Sequence, residues 1–200
     1  MKRVLLSCFA IALLALPNFA QDAKQLRKAP ELAFHLPGQG ERLLSQARGH
    51  VVAVSFILTT CPHCQEASRE MTKLQQEYGS RGFQAIDLAI NGLDEGRTPQ
   101  QADTLVEMFA RNFQVGFPVG WVQRDQFMSF MGFSLAEYTV VPQLALIDRK
   151  GYIHYQTPAR GGAHDEATLR PMIEELLAQG AGASTHSSSK TRTAVAKRNP

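Results

Sequence analysis

The chain has 200 residues, enough for one domain of ordinary size. Apolar residues make up 44 % and charged residues 20 %, which excludes a collagen-like or wholly disordered chain, and no apolar run reaches the roughly 18 residues of a spanning helix. The formal net charge is +3, but residues 21 to 180 carry 15 basic and all 18 acidic residues, so the basic excess sits at the two ends and no nucleic-acid partner is expected.

At the start, Lys2 and Arg3 precede an apolar stretch from Val4 to Leu16, Pro17 breaks it, and Ala20 follows. This is the pattern of an export signal over residues 1–20, either cleaved or kept as an anchor. It predicts a periplasmic or otherwise extracytoplasmic protein. Cys8 falls inside the signal, so the mature chain keeps only Cys61 and Cys64. The predicted folded domain covers residues 25–179. Beyond it, residues 180–200 are Gly, Ala, Ser, Thr and basic residues with almost nothing to build a core, and a disordered basic tail is expected.

Inside the domain, Val51 to Leu58 is an apolar run interrupted only by Ser55, as in a strand buried on both faces. Cys61-Pro62-His63-Cys64 follows at once. Cys64, Ala67, Met71, Leu74 and Tyr78 then recur at spacings of three and four, the apolar stripe of a helix. A second strand is expected at Phe83 to Ile90 and a loop at Asn91 to Arg97. Thr98-Pro99-Gln100-Gln101 opens a helix through a capping box, and Ala102, Leu105, Val106, Phe109, Ala110 and Phe113 form its stripe. Phe117 to Val122 predicts a short strand, and Arg124 to Met131 a short helix ending at Gly132. Leu144 to Ile147 and Tyr152 to Gln156 predict a hairpin. A last helix is expected over about Thr168 to Ala178, with Pro171 in its first turn. The expected fold class is α/β, a central mixed sheet with helices on both faces.

Two cysteines three positions apart cannot staple distant parts of a fold, so in an exported protein the pair reads as reactive. Cys61 precedes a helix, where free N–H groups and the positive end of the dipole favour a thiolate. It is the predicted nucleophile. Cys64, one turn on and on the apolar face, is placed to resolve a mixed disulfide. Pro62 suits the first helical position. His63 either steadies the Cys61 thiolate and makes the pair more oxidising, or merely faces solvent.

Ala29-Pro30-Glu31-Leu32, Gly49-His50-Val51-Val52, Cys61-Pro62-His63-Cys64, Val141-Pro142 and Ile147-Asp148-Arg149-Lys150-Gly151 occur in an order and spacing that resembles the thioredoxin superfamily, in particular its exported TlpA/ResA-like redoxin branch. The resemblance covers about residues 29 to 178. It implies a thioredoxin-like fold and a thiol–disulfide oxidoreductase that needs no cofactor beyond its own Cys61–Cys64 disulfide. It implies that Pro142 is a cis-proline facing the cysteines, with the Val141 backbone free to pair with an extended substrate; the plain alternative is a trans-proline on an edge strand. Implied partners are cysteine-containing exported proteins, apocytochromes among them, and a membrane redox partner.

The chain departs from the pattern at two places. Thr60 stands where most relatives have Trp. Ser55 stands six residues before Cys61, where thioredoxin carries a buried acid that assists proton transfer at the buried cysteine. Asp94 or Glu95, after the second strand, is the suggested substitute; either also reads as an ordinary solvated loop charge. The Pro-His dipeptide matches DsbA-type oxidases whereas the TlpA/ResA branch mostly reduces, so the direction of electron flow stays open.

Weaker readings attach to the same residues. Copper binding by Cys61, Cys64 and His63, or a folding-assistance module without turnover, is the alternative from another class. A thiol peroxidase usually has Thr three residues before its attacking cysteine, and Leu58 stands there. Zinc lacks a fourth ligand, and Gln65 stands where haem attachment needs His, so no metal site is expected. Phe127, Met128, Phe130, Met131, Phe133 and Trp121 read mainly as core, and His35, His50, His154 and His164 as structural or surface residues.

Overall fold

A computed structural model describes residues 26–162 and 165–181. The expected export signal over residues 1–20 with Cys8, His164, and residues 182–200 of the expected tail 180–200 lie outside the described residues. Eight strands and four helices alternate as β1 (Arg27–Lys28), β2 (Ala33–Leu36), β3 (Gly40–Leu43), β4 (Val51–Ile57), α1 (Pro62–Tyr78), β5 (Phe83–Ala89), α2 (Pro99–Phe113), β6 (Val119–Trp121), α3 (Arg124–Met131), β7 (Gln143–Ile147), β8 (Tyr152–Gln156) and α4 (Glu166–Ala181). One mixed sheet runs β1-β8-β7-β4-β5-β6-β2-β3. β4, β5 and β6 are parallel, and the other neighbours antiparallel.

The central strand β4 has all seven residues buried, because helices cover both of its faces. Val52, Val54 and Phe56 point to one side and pack with Ile86, Leu88 and the α3 residues Phe127, Met128, Phe130 and Met131. Phe56 sits 4.8 Å from Phe127 and 5.6 Å from Phe130, centroid to centroid. Val51, Ala53 and Ile57 point to the other side, under α1, α2 and α4. The period of two along β4 and β5 thus sorts the core into two layers. Among the described residues no helix is long and apolar enough to cross a membrane.

The capping box at Thr98 forms as the sequence implies: its hydroxyl accepts from Gln101 N at 3.3 Å, and the Gln101 side chain accepts from Thr98 N at 2.8 Å. α3 and β8 occupy the expected spans. Elsewhere the structure corrects the reading. The hairpin β2–β3 was not expected; its four-residue strands are too short to show a period, and β2 joins the sheet only through the pairing of His35 with Trp121. That junction is secured by Asp103 of α2, which accepts from Trp121 Nε1 at 2.8 Å and lies 3.0 Å from His35 Nδ1. The last helix begins at Glu166 rather than Thr168, which puts Pro171 inside it. Arg170 ties this helix to α1, donating to Glu77 and to the Tyr78 hydroxyl, both at 2.6 Å. In α1, Ser68 and Thr72 are buried along with Cys64, Met71, Leu74 and Tyr78 of the expected stripe, while Ala67 is half-buried.

Candidate active site

The site begins where β4 ends. Its last residues lead into a tight loop whose backbone is clamped by Asn91, just beyond β5: Thr59 N donates to Asn91 Oδ1 at 3.3 Å, and Asn91 Nδ2 donates to Thr59 Oγ1 at 3.1 Å. Cys61 is the N-cap of α1, with extended backbone (φ −82°, ψ 119°), and Pro62 takes the first helical position. The Cys64 amide donates to Cys61 Sγ at 3.4 Å, so the positive end of α1 faces this sulfur. Cys61 is half-buried and Cys64 is buried, with no exposed surface. Both are free thiols. Burial, reinforced by Cys61 and by the charge of Asp87, pushes the Cys64 thiol up. Pro62 and His63 lie on the exposed side of the first turn.

A second loop closes over the first cysteine. The Val141 carbonyl lies 4.0 Å from Cys61 Sγ, and the Val141–Pro142 peptide is cis. Gln143, fully buried, organises this loop: its Nε2 reaches the carbonyls of Val140 (2.8 Å), Pro158 (3.1 Å) and Ala159 (3.2 Å), and its Oε1 accepts from Thr157 Oγ1 at 2.6 Å. The fold thus brings Cys61, Cys64, Val141 and Pro142 together. Among the described residues no three His, Cys, Asp or Glu side chains are grouped to hold a metal ion.

The two loop acids are not drawn into this cluster. Asp94 and Glu95 are exposed; Asp94 Oδ2 lies 3.5 Å from Arg124 and Glu95 Oε2 accepts from Arg97 at 2.9 Å. The acid that does lie beneath the cysteines is Asp87, in the middle of β5 and 1 % exposed. It pairs in register with Ser55, the very position that lacks an acid on β4. Ser68 Oγ donates to Asp87 Oδ2 at 2.5 Å, and Ser55, its neighbour on β4, also favours the charged carboxylate. Burial nevertheless outweighs the help of both serines and pushes the Asp87 carboxyl up to about 7.

The Redoxin family model matches residues 24–170. The chain belongs to the Redoxin family. Within the thioredoxin superfamily this Redoxin is of the TlpA/ResA-like kind, with a thiol–disulfide oxidoreductase-type function. Among solved structures it is similar to a protein of Chlorobium tepidum assigned as the thiol:disulfide interchange protein DsbE, with 25 % identity, 76 % of this chain and 96 % of that chain covered, and a TM-score of 0.59. A second Chlorobium tepidum thiol:disulfide interchange protein of the thioredoxin family shares 20 % identity over 76 % of this chain and 97 % of its own, with a TM-score of 0.61. A thiol:disulfide interchange protein from Bacteroides sp. shares the fold at 15 % identity, 82 % and 97 % coverage and a TM-score of 0.58. No curated protein matches the chain.

Three residues of this Redoxin site escaped the sequence reading. Asn91 and Gln143 carry no motif, and their roles exist only once two loops meet. Asp87 left a signal: it is the single charged residue in the strand Phe83–Ala89, at the same parity as the apolar residues that face α1.

Proposed function

We propose that this Redoxin is an exported thiol–disulfide oxidoreductase that exchanges disulfides with cysteines of other exported proteins. The observation that carries the reading is the unequal pair on α1: a half-buried Cys61 sulfur at the helix start and a buried Cys64 behind it. In the reducing direction, the Cys61 sulfur attacks a partner disulfide. A Cys61–partner bond forms, the partner's S–S bond breaks, and the released sulfur takes up a proton. Cys64 then loses its proton and attacks Cys61. The Cys61–Cys64 bond forms and the partner leaves as a dithiol, reduced by the two electrons this protein has lost. The oxidising direction is the reverse sequence.

Val141 supports the same reading. Its carbonyl borders the Cys61 sulfur, so an extended peptide laid along this backbone would present its own cysteine there. Pro142 holds that segment beside α1. His63, on the exposed side of the turn, is available to a docked partner. No cofactor beyond the cysteine pair enters the chemistry. Apocytochromes fit the substrate class, and a membrane redox protein that resets the pair is the partner the cycle requires. Residues 1–20 direct the chain out of the cytoplasm.

The test is turnover of insulin disulfides and oxidation of a reduced protein substrate, with wild type, Cys61→Ser and Cys64→Ser. Cys61→Ser should abolish both reactions, and Cys64→Ser should accumulate a mixed disulfide. Wild-type turnover in Cys61→Ser overturns the mechanism. The reduction potential of the pair assigns direction: about −120 mV marks an oxidase and about −270 mV a reductase.

A further inference from the structure

The polar group beneath Cys64 has a layout that the exchange chemistry itself does not explain. Ser55, Asp87 and Ser68 are 5 %, 1 % and 1 % exposed, and they meet between two apolar clusters on the side of the sheet covered by α1. Ser68 stands one turn after Cys64. Its Oγ lies 2.9 Å from the Cys64 carbonyl and 2.5 Å from Asp87 Oδ2. A hydroxyl has one proton and here faces two acceptors. Both contacts are satisfied together when Asp87 carries a proton and donates it to Ser68 Oγ, while Ser68 donates to the Cys64 carbonyl. When Asp87 is ionised, Ser68 turns to the carboxylate and releases that carbonyl. The site thus has two complete hydrogen-bond arrangements that differ by one proton.

Among the described residues no countercharge stands nearby. β4 and β6 have no charged side chain. The charged residues of α1 closest to Cys64, Glu66 and Arg69, are exposed. On α2, Asp103 is engaged by Trp121 and His35, and Glu107 faces Arg111. The titratable groups that face Asp87 are therefore Cys64 and, beyond it, Cys61. A pocket of this kind tolerates one negative charge far better than two. A thiolate forms on Cys64 most readily if the charge on Asp87 disappears in the same step.

We infer that Asp87 takes the proton that Cys64 loses when it resolves the mixed disulfide, and that the acid has been moved across the strand pair from position 55. The inference rests on the proposed two-cysteine exchange. The Cys64 S–H bond breaks and an O–H bond forms on Asp87, the Cys64 sulfur bonds to Cys61, the Cys61–partner bond breaks, and the departing sulfur is protonated from solvent. The pocket never holds two negative charges: its single charge passes from Asp87 to the Cys64 sulfur and leaves with the partner sulfur. In the reverse direction Asp87 returns the proton to Cys64 as the disulfide opens.

The experiment mixes the reduced protein with 5,5′-dithiobis(2-nitrobenzoate) in a stopped-flow instrument and follows thionitrobenzoate release from pH 5 to 9. The first equivalent reports attack by Cys61, and the second reports resolution by Cys64. In wild type the second phase should rise with pH through an inflection near 7, the value to which burial lifts Asp87. Asp87→Asn should lose the inflection and slow the second phase at pH 7 by at least about tenfold relative to the first. The exchanged pair Ser55→Asp with Asp87→Ser should restore both, which a structural role alone would not produce. An unaltered second phase and inflection in Asp87→Asn overturns the inference. If that variant does not fold, the wild-type Asp87 carboxyl, followed by carbon-13 NMR, must titrate at the midpoint of the second phase; a different midpoint also overturns it. Release of two equivalents by Cys64→Ser would instead overturn the underlying exchange, whatever Asp87 does.

Discussion

Asp87 of β5 and Ser55 of β4 are register partners on parallel strands, both buried. A polar pair thus interrupts both central strands at the same level, under the helical turn that carries Cys64. Burying a carboxyl there costs stability, and four consequences of this and neighbouring arrangements are measurable.

Removing the Asp87 charge should stabilise the protein at high pH. Its folded pKa of about 7 lies above the ordinary value of 3.8, so between these limits the folded chain holds a proton that the unfolded chain has lost. That contribution to stability is full below about pH 4, falls as pH rises to about 7, and stays absent above it. At about 1.4 kcal/mol per pKa unit the effect amounts to a few kcal/mol. Urea unfolding of wild type and Asp87→Asn at pH 5 and pH 8 should show the variant gaining on wild type at the higher pH. A difference that does not change with pH would refute the assignment.

The two cysteines should react at very different rates. Cys61 is half-buried and edges the Val141 loop, whereas Cys64 is fully buried with its thiol pushed up. Brief treatment of the reduced native protein with iodoacetamide at pH 7.5, read by peptide mass spectrometry, should label Cys61 at least about a hundredfold faster. Comparable labelling would mean that α1 opens at its start.

Gln143→Ala should cost about 3 kcal/mol, because the carbonyls of Val140, Pro158 and Ala159 and the Thr157 hydroxyl each lose a buried hydrogen bond to Gln143. Equilibrium unfolding checks the loss. The same variant should weaken protection of the Val140 amide, which donates to Ala159 O at 3.0 Å, in hydrogen exchange. A cost below about 1 kcal/mol would show that the loop is held by other contacts.

Thr98→Ala removes the acceptor for Gln101 N and should destabilise the protein by about 1 kcal/mol, with Thr98→Ser restoring most of it. Unfolding curves of the three proteins decide the matter. Equal stability of the alanine variant would mean that α2 is held by packing of Val106 and Phe109 alone.

Local elements were largely legible because their signals are local. β4 is a run of apolar residues, α1 and α2 repeat every three to four residues, and the capping box at Thr98 needs only four consecutive positions. The hairpin β2–β3 was not, since Ala33–Leu36 and Gly40–Leu43 are stabilised by a neighbour, Trp121, distant in sequence. Pro171 misled the boundary of α4: a proline favours a first turn, but Asp165 accepts from Thr168 N at 2.9 Å and starts the helix earlier.

The candidate site divides in the same way. By itself the sequence determined how the two cysteines sit, because a Cys-x-x-Cys spacing at a helix start places one sulfur at the dipole's positive end and the other one turn on, whatever the rest of the chain does. It also marked position 55 as lacking an acid. Only the tertiary structure decided which carboxylate lies under Cys64. Asp94 and Glu95 are nearer the expected loop, yet they face solvent and arginines, while Asp87 is carried into the core by the register of β5 on β4. Register and burial are set by the packing of whole elements, and a one-residue slip would turn Asp87 to the opposite face.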